Sequence, residues 1–284
     1  MSRRRRRSRR GSSGQAGIIF GIIIALIILA GLIAGGSYIY LNQEKTLTLN
    51  KDFCPSQGPT HTVAILLDTT ERIAEATQIS ARKKIEQEIM ALPRYAKLEI
   101  FNVDGQGLSN SIGSVCNPGR KEDLSKYGQQ GIVANPALVE KRYGEFVEEA
   151  VNALNIIMNS NFEAEQSPLL QALQMMSLRF NPPKGYPDMD IQAKRNKVVF
   201  ITDFLENTEF FSVYRTGPDL DAFEKSRSIE KFGNDFRDID IEIWLVKRNK
   251  EFATTQEVKQ FWSTVFKRFL KSDISRIIEL PGEL

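Results

Sequence analysis

Residues 62–72 read TVAILLDTTER, and the apolar run VAILL within them leads directly to Asp68. Runs of this kind are typical of a central parallel strand that is buried on both faces. A second run, VVFIT at residues 198–202, is likewise followed by an aspartate, Asp203. Because a strand buried on both faces needs helices on either side, the two runs predict a largely parallel sheet covered by helices.

Segments with helical spacing alternate with these and further strand patterns along the chain. Strands are predicted within 62–68, 96–105, 111–116, 195–207, 238–248 and 274–280. Helices are predicted within 71–92, 135–158, 167–180, 219–233 and 254–270. This alternation predicts one α/β domain, a doubly wound and mostly parallel sheet with helices on both faces and no internal repeat.

The N-terminus has a different composition from the rest. Seven of the first ten residues are Arg, and the remaining chain carries 31 basic against 35 acidic residues. No residue from Gly11 to Gln43 is charged, and Gly17–Leu41 is apolar enough to cross a bilayer as a helix. The positive-inside rule then keeps the Arg cluster cytoplasmic and the domain extracytoplasmic.

These features predict four parts: an Arg-rich cytoplasmic tail (1–16), a transmembrane signal anchor (17–41), a linker (42–61) and the α/β domain (62–284). A cleaved signal peptide is the alternative, but the apolar stretch is longer than the usual 7–15 residues. The expected location is the periplasm or the surface of a bacterial cell. An Arg-rich tail also occurs in nucleic-acid-binding proteins, but next to a membrane span it indicates topology, and no nucleic acid is expected.

Glycine pairs lie at both ends of the predicted span, at Gly17 and Gly21 and at Gly31 and Gly35. Small residues on one stripe let two membrane helices approach closely, which would make the chain a homo-oligomer. The alternative is that glycine is simply frequent in membrane helices.

The chain has two cysteines, Cys54 before the first strand and Cys116 in the edge-strand segment. An extracytoplasmic domain lies in an oxidising compartment, so the pair is read as a disulfide. Two buried free thiols are the alternative.

Polar residues mark one edge of the predicted sheet. Asp68 and Asp203 end two core strands, and Ser167 precedes a helix that should begin at the same edge. Ligands of doubly wound proteins bind beyond the carboxyl ends of the strands. Carboxylate and hydroxyl oxygens suit a hard cation, so Mg²⁺ is the cofactor that this set would hold.

These residues, in this order, resemble the metal-ion-dependent adhesion site of von Willebrand factor type A (vWA) domains, which have a Rossmann-like fold. Asp68 and Thr70 match the first two positions of that family's DxSxS motif. Ser167 matches its later threonine, and Asp203 matches its second aspartate. The resemblance implies a cation held by Asp68, Thr70, Ser167 and Asp203, with an open position for a carboxylate of a protein partner.

The third motif position is a departure, because it is occupied by Arg72. A guanidinium cannot coordinate a metal. Arg72 could pair with Asp68 or Asp203 and supply the charge of the cation, or point to solvent and leave an incomplete metal site. The purely structural alternative is that Thr69, Thr70 and Ser167 only cap helices.

The segment FLENTEFFSVYR, residues 204–215, follows Asp203 directly. Together with Arg72, its aromatic side chains are predicted to contact a partner, or else they pack under the next helix. These aromatic residues are Phe204, Phe210, Phe211 and Tyr214.

The resulting hypothesis is a membrane-anchored vWA-like domain that mediates protein–protein binding and is not an enzyme. With His61 as the single histidine and no phosphate-binding glycine motif, the parts of common catalytic sites are missing. Two alternatives stay open: a scaffold subunit of a membrane assembly without a metal site, and a metal-assisted hydrolase.

Overall fold

The computed structural model describes residues 13–41, 49–123, 135–159, 164–180, 195–233, 235–248 and 250–281. They belong to two compact units, Met1–Thr46 and Leu47–Leu284. Most of the predicted Arg-rich tail lies outside the described residues.

The described part of the first unit is the helix α1 (Ser13–Leu41). Its stretch Ile19–Tyr38 has a mean hydropathy of 2.8 and is long and apolar enough to cross a membrane. The predicted N-terminal apolar helix is therefore confirmed, although a signal sequence near an N-terminus can satisfy the same criteria of length and hydropathy.

The second unit is built on a seven-stranded sheet. Its strands are β1 (Thr62–Asp68), β2 (Lys97–Asp104), β3 (Gly107–Leu108), β4 (Gly113–Cys116), β5 (Asn196–Thr202), β6 (Ile239–Val246) and β7 (Ile274–Leu280). The spatial order is β3-β2-β1-β5-β6-β7, and β4 also pairs with β2. All pairs are parallel except those of β3 and β4 with β2, which confirms the predicted doubly wound, mostly parallel sheet.

Helices cover both faces of the sheet. They are α2 (Glu75–Ala91), α3 (Pro136–Met158), α4 (Leu169–Phe180), α5 (Val213–Thr216), α6 (Leu220–Lys225), α7 (Ser228–Phe232) and α8 (Thr255–Phe269). Successive side chains of β1 alternate between two cores, with Ile65 packed towards α2 and α3 and Leu66 towards α4 and α8. This alternation explains why the strand is apolar at consecutive positions.

The strand order reverses between β1 and β5. From β1 the chain continues to β2 on one side, whereas β5 leads to β6 and β7 on the other. The carboxyl ends of these two strands, which carry Asp68 and Asp203, therefore flank the crevice where doubly wound proteins bind ligands.

Two of the predicted helices differ from those observed, and the short helix α5 was not predicted. Helix α2 begins at Glu75 and not at Glu71, because the preceding loop is held away from a helical path. The backbone N–H of Thr69 donates to the carbonyl of Val103, and the carbonyl of Thr70 accepts from Ala164. The single helix predicted within 219–233 is divided into α6 and α7 at Arg227, whose φ of 56° is left-handed.

Cys54 and Cys116 are joined by a disulfide. The segment around Cys54 pairs with the domain as well, since the backbone N–H of Cys116 donates to Asp52 and that of Lys97 donates to His61. The later part of the predicted linker therefore belongs to the second unit, while residues 42–48 lie outside the described residues.

Helix α8 begins with a capping box. The Thr254 hydroxyl accepts from the backbone N–H of Glu257 at 3.3 Å, and the Glu257 carboxylate accepts from the backbone N–H of Thr254 at 2.8 Å. We expect Thr254→Ala to lower the free energy of unfolding by about 1 kcal/mol, because it leaves the end of the helix without this acceptor. Urea denaturation measures the change. Thr264→Ala, at a half-buried threonine within the same helix, is the control, and equal effects of both variants would contradict the capping role.

Candidate binding site at the carboxyl edge of the sheet

The Asp68 carboxylate lies at the centre of the edge and is buried. One oxygen accepts from the backbone N–H of Thr70 at 3.0 Å and from its hydroxyl at 2.7 Å. The other accepts from the hydroxyl of Thr202 at 2.7 Å. Hydrogen bonds from both flanking strand ends thus hold Asp68 across the crevice between β1 and β5.

Ser167 completes this cluster from the loop that precedes α4. Its hydroxyl oxygen lies 3.0 Å from that of Thr70. The backbone of Ser167 is held by reciprocal hydrogen bonds with the backbone of Asn207, at 2.9 and 3.0 Å. The structure therefore brings together Asp68, Thr70 and Ser167, three of the four residues predicted as metal ligands.

Asp203, the fourth predicted ligand, has separate partners. One carboxylate oxygen accepts from the backbone N–H of Leu205 at 3.1 Å, and the other accepts from Nε of Arg248 at 3.0 Å. Arg248 follows β6, and its guanidinium also donates to the backbone carbonyl of Arg72 at 2.9 Å. Both side chains are 7% exposed, so the Asp203–Arg248 ion pair is buried at the carboxyl edge of the sheet.

The guanidinium at the site thus belongs to Arg248 and not to Arg72, which is exposed. Only the backbone of Arg72 takes part, as an acceptor for Arg248. The available sequence signal for Arg248 was a basic residue two positions beyond the last residue of β6. This signal is weak, because the strand register alone does not tell in which direction such a side chain turns.

Sequence reasoning also missed Glu206, which is 1% exposed. Its carboxylate accepts from the backbone N–H of Leu170 at 2.9 Å, in the first turn of α4. Glu206, and not the predicted Ser167, therefore supplies the side-chain acceptor at this helix N-terminus. Burial raises the pKa of Glu206 to about 8, against the lowering effect of its backbone hydrogen bonds.

Burial also raises the pKa of Asp68 to about 6, and the nearby Asp203 carboxylate adds to the increase. The hydrogen bonds from Thr70 and Thr202 favour the ionised form and limit the shift. A pKa raised by burial and by a neighbouring carboxylate is the usual consequence of two acids near one another in a water-poor site.

We expect the domain to become less stable as the pH rises from about 4 to about 8. Asp68 and Glu206 have higher pKa values in the folded than in the unfolded protein, so the folded state binds more protons in this range. Burial lowers the pKa of His61, and this shift acts in the opposite direction near the ordinary pKa of histidine. Urea denaturation across this range should show a loss on the order of a few kcal/mol, much reduced in Glu206→Gln. A profile that Glu206→Gln leaves unchanged would contradict the assignment.

The four aromatic residues predicted to contact a partner divide into two pairs. Phe204 and Phe211 are 1% and 2% exposed, and their rings lie 4.6 Å from Trp262 and 5.6 Å from Phe261 of α8. Both are core residues and offer no binding surface, because α8 covers them. This corrects the prediction for these two residues in favour of the alternative that they pack under a helix.

Phe210 and Tyr214 are half-buried. Phe210 packs on Phe232 and against the Lys231 ammonium, whereas the Tyr214 ring lies 4.9 Å from Phe252 and its hydroxyl bonds the Glu71 carboxylate. Phe252, 36% exposed, was not singled out in the sequence. Tyr214 and Phe252 thus present an aromatic pair next to the buried cluster.

The predicted ligands are a poor match for a divalent cation. One carboxylate oxygen of Asp203 is held by a guanidinium and the other by a backbone N–H, and the third motif position, Arg72, has no oxygen in its side chain. Within the described ranges, no group of three or more His, Cys, Asp or Glu side chains is placed to hold a metal ion. The hydroxyls of Thr70 and Ser167 remain the groups best placed to act as neutral ligands.

The sheet has the doubly wound order, and Asp68, Ser167 and Asp203 follow the vWA motif order on one edge. The fold is vWA-like. No family model matches the chain, and no curated protein matches it.

Three solved structures are similar to it. A von Willebrand factor type A protein from Catenulispora acidiphila is 10% identical over 72% of this chain and 36% of its own, with a TM-score of 0.41. Proximal thread matrix protein 1 of the mussel byssus is 10% identical over 72% and 41%, with a TM-score of 0.39. The SpRpn10 VWA domain is 9% identical over 79% and 89%, with a TM-score of 0.38. This chain spans less than half of the first two proteins, and the fold assignment rests on its own strand order and register.

Proposed function

We propose that the chain is a single-pass membrane protein whose extracytoplasmic vWA-like domain binds another protein through the carboxyl edge of its sheet. The observation that carries the proposal is that two polar groups lie at the carboxyl ends of β1 and β5, where the strand order reverses. One is the hydroxyl–carboxylate cluster around Asp68, and the other is the Asp203–Arg248 ion pair. Polar networks of this kind are costly to bury, so their place at the ligand-binding edge favours a functional role.

Two features support the proposed location. Helix α1 is long and apolar enough to span a bilayer, and the Arg cluster before it would be retained in the cytoplasm. The Cys54–Cys116 disulfide suits an oxidising compartment on the other side of the membrane.

A binding role is proposed and not a catalytic one, because the acids at the edge are engaged inside the fold. Asp68, Asp203 and Glu206 are each 9% exposed or less and accept hydrogen bonds from neighbouring loops. This burial gives a substrate little access to the three carboxylates.

The surface that a partner would touch is the rim of the cluster, formed by Arg72, Tyr214, Lys250 and Phe252. These residues follow β1, β5 and β6, and all reach the surface at the same edge. The Lys250 ammonium lies 6.0 Å from the Tyr214 ring centroid and 4.0 Å from the Glu71 carboxylate. An aromatic pair flanked by charged side chains is typical of the anchors found in protein interfaces.

Chemical crosslinking of the protein in intact membranes tests the proposal. We expect the double variant Arg72→Glu/Phe252→Ala to lose about tenfold or more of the adduct that the wild type forms, because interface anchors carry most of the binding energy. The matched control is Met90→Ala/Arg237→Glu, which changes an exposed apolar residue and an exposed arginine away from the edge. Equal loss in both variants, or no loss in either, would contradict binding through the rim.

A further inference from the structure

Arg248 is an unusual residue for this position, because arginine is almost never fully buried unless it is paired. Its side chain is 7% exposed and is satisfied on several sides. Nε donates to Asp203, one Nη donates to the backbone carbonyl of Arg72, and the Glu71 carboxylate lies 3.6 Å from the same Nη. The guanidinium is thus held by two carboxylates and one backbone carbonyl. If it left this position, the buried Asp203 carboxylate would lose its cation.

The charges at this edge are arranged around that guanidinium. Asp68 and Asp203 are both buried, and they lie at the carboxyl ends of the neighbouring parallel strands β1 and β5. Arg248 supplies a permanent positive charge beside Asp203, since a guanidinium is not deprotonated in proteins. A divalent cation beside it would have to overcome repulsion that water screens only weakly at a buried site.

We propose that Arg248 is a built-in cation that takes the place of a divalent metal at this edge, so that the wild-type site excludes Mg²⁺. Removing the guanidinium while keeping the acids leaves Asp203 without its counter-charge at the same edge as the oxygen cluster of Asp68, Thr70 and Ser167. Carboxylate and hydroxyl oxygens of this kind are the ligands that Mg²⁺ and Mn²⁺ accept. The variant should therefore gain a metal site that the wild type lacks.

The geometry assigns this role to Arg248 and not to Arg72. The Arg72 side chain is exposed, whereas its backbone carbonyl is an acceptor for Arg248. Replacing Arg72 by serine would restore an oxygen at the third motif position but would leave the buried guanidinium in place. Arg72→Ser should therefore not create metal binding, although the motif alone would suggest that it does.

Titration calorimetry with Mg²⁺ and Mn²⁺ on the folded domain, residues 47 to the C-terminus, and in parallel on the full chain in detergent, tests the proposal. Four proteins are compared: the wild type, Arg248→Ser, Arg72→Ser and Arg237→Ser. Arg237 is the matched control, because it is an exposed arginine paired with an aspartate, Asp235, outside the edge. We expect binding heat from Arg248→Ser only, together with a rise of several degrees in its thermal midpoint on addition of Mn²⁺.

Each outcome decides for or against the proposal. Metal binding by the wild type or by Arg72→Ser would overturn it, and so would a folded Arg248→Ser protein that gains none. If Arg248→Ser folds only with Mn²⁺ present, that rescue supports the proposal. If Arg248→Ser does not fold under either condition, Arg248→Lys replaces it: this variant keeps a cation, and metal binding by it would overturn the proposal, whereas exclusion of the metal supports it.

These measurements need no partner, so their result is separate from that of the proposed protein-binding function. If both hold, partner binding is independent of divalent metal. A wild type that excludes Mg²⁺ but has no partner at this edge would refute the proposed function alone. A wild type that binds a partner only with Mg²⁺ would refute the role of Arg248 alone.

Discussion

Replacing Arg248 by alanine is expected to lower the free energy of unfolding by about 3–5 kcal/mol, measured without divalent metal. The reason is that the substitution leaves the buried Asp203 carboxylate without its cation, 3.0 Å away in the wild type. It also leaves the backbone carbonyl of Arg72 without its donor. Breaking a buried pair costs far more than breaking an exposed one, because the remaining charge cannot be hydrated.

Two variants make this measurement specific. Arg237→Ala removes an arginine from an exposed ion pair with Asp235, and we expect it to leave the denaturation midpoint unchanged. Asp203→Asn/Arg248→Met removes both charges, and it should be clearly less damaging than Arg248→Ala, since neither side then holds an unpaired charge. Urea denaturation gives all three values. An Arg248→Ala protein as stable as Arg237→Ala would show that the ion pair is not part of the folded core.

The second large effect is expected from the disulfide. Replacing both Cys54 and Cys116 by serine should lower the free energy of unfolding by about 4 kcal/mol. The cysteines are 62 residues apart, so the bond restricts a long loop in the unfolded chain. It also ties the segment before β1 to the edge strand β4, where Asp52 and Cys116 already share a backbone hydrogen bond.

Denaturation with and without a reducing agent separates the bond from the residues. The wild type should lose stability on reduction and approach the Cys54→Ser/Cys116→Ser variant, whose own stability should not change with the reducing agent. A wild type insensitive to reduction would show that the cysteines are not joined in the protein. The same comparison on protein isolated from its native membrane, with free thiols blocked beforehand, reports whether the domain lies in an oxidising compartment.

Much of the fold could be predicted from local patterns. The run at 62–68 had to be a strand covered on both sides, because its side chains alternate between two faces and both are apolar. The Asn-Pro start of α3 and the capping residue of α8 were likewise readable, since the Asn135 and Thr254 side chains accept hydrogen bonds from backbone groups only a few residues away. Signals of this kind come from residues that are neighbours in sequence, so they can be recognised without knowledge of the tertiary structure.

The composition of the edge was harder to predict. Asp68, Thr70, Ser167 and Asp203 were found because their order along the chain resembles a known motif. Arg248 and Glu206 were missed, because each acts on a residue far away in sequence. Arg248 reaches Asp203 across 45 positions, and Glu206 reaches Leu170 across 36. Contacts over such separations depend on how loops fold back, which a periodic pattern does not record.

The aromatic segment shows a related difficulty. Phe204 and Phe211 follow a strand and lie in a polar stretch, a pattern that is also typical of a surface loop. Phe204 has a φ of 58°, and this left-handed turn accompanies a ring packed beneath Trp262. Backbone turns of this type are rare for a bulky residue, so the sequence alone left both surface contact and packing under a helix open.

The central claim is that the carboxyl edge binds a protein partner with charge supplied by the chain itself. Photocrosslinking in intact membranes tests it most directly, with a photoreactive residue placed in turn at Arg72, at Phe252 and, as the control on the opposite edge, at Asp240. We predict a discrete adduct from the first two positions only, with the same yield after divalent metals are removed by a chelator. An adduct from Asp240 alone, no adduct from the rim, or a rim adduct that disappears with the chelator would contradict the account.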